Sequence, residues 1–148
     1  MPRKYQQEEN AIRKTISHYL DALKIPHTVT DAGVIKIGEG QYRPRGVDPG
    51  WPDITGVIPC SVSPLLAGRL LAVEVKTKTG KLLPGRLVKR GWRQEWVKGQ
   101  KEVLEDLRQA GAVAIVARSI EDVTAGLCVA EQAVRDGVDF LNGLPELK

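Results

Sequence analysis

Cysteine, histidine and long apolar runs are what this sequence has least of. Two cysteines stand in 148 residues, Cys60 and Cys128, far apart and without paired-ligand spacing. That argues against a zinc site and gives no sign of a disulfide framework. The two histidines, His18 and His27, are equally isolated, and neither is assigned a role. No apolar stretch approaches the roughly 20 residues a bilayer span needs, and Met1 to Glu9 is too polar to be a leader. Internal repeats and low-complexity segments are also missing. Together these absences predict a soluble, intracellular, cytoplasmic protein with no membrane partner.

What is present fits one domain over residues 1–148, with 42% apolar residues to build a core. The formal charge of +4 is unevenly spread. Lys78, Lys81, Arg86, Lys89, Arg90, Arg93 and Lys98 face a single acid, Glu95, whereas six acids follow Ser119 against Arg135 and Lys148. A localised basic stretch suits a polyanionic partner, or is simply a solvated loop.

Periodicity gives the elements. Ile12, Ile16, Leu20 and Leu23 predict a helix from about Gln6 to Leu23, limited by Pro26. Val34 to Ile37 reads as a strand, and Gly38 to Gly50 as a loop. Asp53–Ile58 and Arg69–Lys76 read as strands joined through a turn region, Pro59 to Gly68. Thr77 to Gly91 reads as an irregular basic insertion, and Arg93 to Gln109 as a helix stopped by Gly111. Ala112–Ala117 reads as a buried strand. Ser119 with Asp122 caps a short helix, and a last helix covers Ala130 to about Phe140. The order predicts an α/β fold, a mixed central sheet flanked by helices.

Chemistry enters at Pro52-Asp53 and Glu74-Val75-Lys76. A turn centred near Pro64 would set Asp53 opposite Val75, next to Glu74, gathering both carboxylates at one end of the sheet. Strand alternation puts Glu74 and Lys76 on one face and Val73 and Val75 in the core, leaving the Val75 carbonyl as a further oxygen. Paired carboxylates repel unless a positive charge stands between them. Mg2+ or Mn2+ would satisfy them with oxygen ligands, activate a water and neutralise charge on a phosphate, with Lys76 assisting. The ordinary alternative is a strand end where Glu74 merely pairs with Lys76.

Glu9 falls on the apolar stripe of the first helix, where it either meets a cation or stays exposed near the helix start. Gln100 lies near Val97, Val103 and Leu104, and needs hydrogen-bond partners if it is buried. A metal-bound water or a nearby carboxylate at the active-site end of the sheet would supply them; the alternative is a boundary position open to solvent.

In their order, Glu9, Gly50-Trp51-Pro52-Asp53-Ile54, Leu71 to Lys76 and Gln100 resemble the PD-(D/E)XK nuclease superfamily. Within it the chain is similar to the virus-type replication-repair nuclease (VRR-NUC) family from about Glu8 to Val123. Ala110-Gly111, the strand after it and Arg118 to Asp122 resemble that family's ending. The resemblance implies a restriction-endonuclease-like core and metal-dependent cleavage of DNA. Asp53, Glu74, Glu9 and the Val75 carbonyl would be metal ligands, Lys76 the catalytic lysine and Gln100 the motif glutamine. It further implies a small phage-encoded protein of the host cytoplasm, a homodimer acting on branched DNA such as Holliday junctions.

The family passes from lysine to glutamine over a short glycine-containing turn, whereas here residues 77–99 intervene. Lys78, Lys81, Arg86, Lys89, Arg90 and Arg93, with Arg43 and Arg45 before Asp53, are candidate phosphate contacts. Trp92 is a candidate for stacking on bases or for a dimer surface, and Trp51 and Trp96 are expected to pack. Two other functions stay open: a nucleic-acid-binding or assembly module without catalysis, and an RNA-directed nuclease.

Overall fold

The computed structural model describes residues 4–30, 34–44 and 46–137. In order these hold α1 (Lys4–Ala22), β1 (His27–Val29), β2 (Val34–Gly38), β3 (Gln41–Pro44), β4 (Ile54–Val57), β5 (Leu70–Val75), β6 (Arg86–Arg90), β7 (Arg93–Val97), α2 (Gln100–Gln109), β8 (Val113–Ala117) and α3 (Ile120–Arg135). The central sheet runs β1-β4-β5-β8, with β5 and β8 parallel and the other neighbours antiparallel. The α/β class with a mixed sheet is therefore as expected. The pairs β2–β3 and β6–β7 form separate two-stranded ribbons.

Strand alternation sets the layers. Val73 and Val75 join Ile16 and Leu20 of α1 and Val123 and Leu127 of α3 in the main core. Ala72 faces the other way, packing with Leu104 of α2 and Ala114 of β8. By parity Glu74 shares that second face, at the carboxyl end of β5. The last turn of α1 gives way at Lys24, a non-glycine residue at φ 55°, and Ile25 returns the chain to the core.

The free side of β8 is closed in part by α2. The Lys76 N–H reaches the Ala117 carbonyl, so alternate residues of β8 turn their peptide groups to β5 and the others turn away. Ala114 is one of those turned away. Buried Arg108 covers its carbonyl, donating Nε at 3.0 Å and Nη2 at 2.7 Å.

Several expectations need correction. The proposed helix over Arg93–Gln109 begins only at Gln100. Its first part is β7, which pairs with β6, so the supposed irregular insertion contains a hairpin. Arg90 pairs with Arg93, and the two-residue loop between them starts at Gly91, at φ 64°. A loop of that kind favours glycine in its first position. The stretch read as loop from Gly38 to Gly50 contains β3, and β1 was not foreseen. α3 is one continuous helix rather than two; its Ser119 cap accepts from the Asp122 N–H at 3.4 Å, as the capping pattern suggests. The proposed continuation to Phe140 lies outside the described residues.

Candidate active site

The site forms where β4 begins and β5 ends. Ile54 faces Val73 across the hairpin, one residue away from the expected register, which sets Asp53 in line with Glu74 rather than with Val75. Asp53 is fixed from both sides of its peptide. Its carbonyl accepts from the Thr30 N–H at 2.7 Å, and Thr30 Oγ1 donates to the Pro52 carbonyl. Its carboxylate bridges two elements: Oδ2 accepts from the Val75 N–H at 2.8 Å, and Oδ1 stands 3.2 Å from Arg13 Nη2. In an extended strand the N–H and carbonyl of one residue face the same neighbour. The Val75 carbonyl therefore turns to the side on which Asp53 lies.

Glu74 is buried, with 1% of its surface exposed. Its Oε1 accepts from Gln100 Nε2 and stands 2.9 Å from Lys76 Nζ. Its Oε2 is buried and has no partner. Burial, followed by the Asp53 charge, pushes its pKa from 4.5 up to about 7, against the pull of Lys76. Lys76 is also buried. Burial alone would lower its pKa, but Glu74, with Glu9 and Asp53, reverses that and raises it. Lys76 thus stays a cation among carboxylates.

Glu9, in α1, reaches the site through Lys76, with Oε1 at 3.5 Å from Nζ. Gln100, the first residue of α2, works in two directions. Its Nε2 holds Glu74, while its Oε1 accepts from the Leu83 N–H at 2.8 Å and its own N–H donates to the Leu83 carbonyl at 2.9 Å. The amide so ties the chain after Lys76 to the end of β5. Asp53, Glu74, Lys76, Glu9 and Gln100 are thus brought together from four elements.

Arg13 is the member that sequence reasoning missed. It lies four residues after Glu9, one helical turn on, and this spacing was the signal available. Its Nε is buried without a partner.

Among the described residues no three His, Cys, Asp or Glu side chains converge as a metal-binding group. Asp53, Glu74 and the Val75 carbonyl nonetheless offer oxygen donors, and the unpartnered Glu74 Oε2 is an oxygen that a hard cation would satisfy. In kind these oxygens fit Mg2+ or Mn2+, although Asp53 Oδ1 is engaged by Arg13 and would have to release it to take the ion.

None of the described phosphate-contact candidates forms an ion pair with Asp53, Glu74, Lys76 or Glu9. Lys78, Lys81, Arg86, Lys89, Arg90 and Arg93 are all exposed. Arg90 pairs with Glu95 at 3.3 Å, and Arg93 stacks over Trp92 at 4.5 Å. Arg45 lies outside the described residues, as does the Arg43 side chain. Trp96 does not pack in the core as expected: it stands on β7, 56% exposed, with Nε1 donating to Glu102 at 3.0 Å. His27 is held by Ser17 and the Ile25 carbonyl, both at 2.8 Å.

Comparison with protein-family models, with curated proteins and with solved structures gives no match. No described helix is long and apolar enough to cross a membrane.

Proposed function

We propose that the chain is a metal-dependent endonuclease with a restriction-endonuclease-like core, of the PD-(D/E)XK type and VRR-NUC family that its motifs resemble. One observation carries this reading: a buried, unpartnered Glu74 Oε2 in register with Asp53, with a lysine at 2.9 Å on the other oxygen. A buried carboxylate oxygen without a partner is costly, and a cation bound there would remove the cost.

Bound Mg2+ or Mn2+ would supply charge neutralisation at the scissile phosphate and a more acidic attacking water. Asp53, Glu74 and the Val75 carbonyl would hold it. Lys76 Nζ would position the attacking water and oppose charge on the phosphate oxygens. Glu9 keeps Lys76 charged and fixed at the site. Gln100 holds Glu74 through Oε1 and so leaves Oε2 for the ion. The exposed basic residues on β6 and β7 favour a nucleic-acid substrate, for which branched DNA and a twofold dimer are the proposed context.

The test compares cleavage of junction, flap, duplex and RNA substrates in Mg2+, Mn2+ or EDTA. Asp53→Ala and Glu74→Ala are expected to abolish cleavage while leaving binding, and Lys76→Ala to slow it roughly a hundredfold to a thousandfold. Cleavage that survives EDTA or both acid substitutions would sink the mechanism. Binding to every substrate without cleavage would favour a non-catalytic binding module, a reading to which the Arg13–Asp53 ion pair lends some support.

A further inference from the structure

A hollow of about 370 Å³ lies between the β6–β7 ribbon and α2. Trp51, Trp96 and Leu107 are among its apolar walls, and its charged lining holds Arg90 and Lys98 beside Asp48 and Asp106, with Lys98 paired to Asp106 and Arg90 to Glu95. A second hollow, about 310 Å³, shares Pro49, Val97 and Lys98 with the first and is lined also by Gln100. Gln100 in turn holds Glu74. The two hollows therefore adjoin along Pro49, Val97 and Lys98, and the second is lined by the residue that holds Glu74.

The geometry points to the first hollow as a pocket for the base of an unpaired nucleotide, with the attached backbone passing Lys98 toward Glu74. Three features select this occupant. Aromatic walls offer stacking faces to any base. The adjoining ribbon carries Arg86, Lys89, Arg90 and Arg93 against Glu95 alone, which suits a polyanion. Trp96 is held in place by its bond to Glu102, so its face is preorganised rather than free to swing. A base within a duplex is stacked on its neighbours and cannot enter. The substrate class becomes nucleic acid with an unpaired nucleotide beside the cut, such as a gap, bulge, flap or single strand. The position of the cut rests on the nuclease reading; the base pocket does not.

The test is made in EDTA, where binding is read without cleavage. Single-stranded DNA, single-stranded RNA, a bulged duplex and a blunt duplex carry 2-aminopurine at one position, unpaired in all but the blunt duplex. Binding of the intact protein is expected to quench the unpaired probe at least about twofold through stacking, and to leave the blunt duplex unquenched. Trp96→Ala should relieve the quenching and weaken binding of unpaired substrates roughly five- to a hundredfold, the worth of one base–aromatic stack. Trp96→Phe should keep most of the affinity. The DNA and RNA arms show which sugar the pocket accepts. An unquenched probe on the intact protein, or equal weakening of bulged and blunt substrates by Trp96→Ala, would overturn the pocket even if that variant proved unstable. Quenching without cleavage in Mg2+ would leave the pocket standing and remove the nuclease reading; cleavage without quenching would do the reverse.

Discussion

At Glu74, burial and the Asp53 charge push the carboxyl towards its neutral form, and Lys76 pulls the other way. The carboxyl titrates at about 7 instead of 4.5. Since the folded value is the higher one, its contribution to stability is fully present below pH 4.5 and is lost as pH rises through about 7. The loss is on the order of 3 kcal/mol. Metal-free protein should therefore have a lower urea midpoint at pH 8 than at pH 5.5, and Mg2+ should recover part of the difference. Metal binding needs the ionised form, so Mg2+ affinity should fall about tenfold per pH unit below 7 and level off above it. Calorimetry showing a flat affinity from pH 5.5 to 8 would count against Glu74 as a ligand. Arg13 holds Asp53, the other proposed ligand, and would compete with the ion for it. Arg13→Gln should lower the Mg2+ concentration at half-saturation by up to about fivefold, the effect of removing one partly exposed ion-pair partner. A higher half-saturation would mean that Arg13 orders Asp53 rather than competing for it. Asp53, Glu74 and Lys76 were legible because charge at the end of an apolar strand stands out. Arg13 was not, since a basic residue on a helix is ordinarily solvated and only the hairpin places Asp53 beside it.

The β6–β7 ribbon is the element that sequence reasoning misread. Gly91 and its neighbours looked like breakers, and Val97, Val103 and Leu104 suggested one helical stripe. Hydrophobic period cannot separate a short exposed strand from a helix start when few of its residues are buried. Cross-strand pairing, which decides the matter, is not a local property. β3, only four residues long, escaped notice as well, whereas β5 and β8 were legible because every residue but Glu74 is apolar. The ribbon joins α2 at Gly99, where an added Cβ would come within 2.4 Å of the Gly85 nitrogen and the Leu83 oxygen. No backbone atom can yield that space without moving the 83–85 segment. Gly99→Ala should then cost roughly 2 kcal/mol or more in denaturant unfolding. It should also reduce cleavage by disturbing the Leu83–Gln100 bonds. A stable variant with unchanged cleavage would show that Gln100 is not positioned by this contact.

For the whole molecule, the sheet separates two tasks. The face under α1 and α3 holds the main core, and the face under α2 is the one that Glu74 shares at the end of β5. The exposed basic residues adjoin that second side through the ribbon. Nucleic-acid affinity should consequently fall steeply between 50 and 200 mM salt, and replacing Arg86, Lys89 and Arg93 together by Gln should flatten the logarithmic slope by up to about three. A slope unchanged in the triple variant would move the phosphate contacts elsewhere. The proposed dimer predicts twice the chain mass in light scattering, with or without DNA; a monomer in both would remove it.

Arg108 on the Ala114 carbonyl restricts how such copies can meet. An uncovered edge strand invites a neighbouring chain to extend the sheet by backbone pairing, in register after register and without limit. Here a guanidinium already occupies one of the acceptors that an incoming strand would need. Growth along β8 into an open-ended stack is thereby discouraged, and two molecules meeting at that edge would have to rely on side-chain surfaces instead.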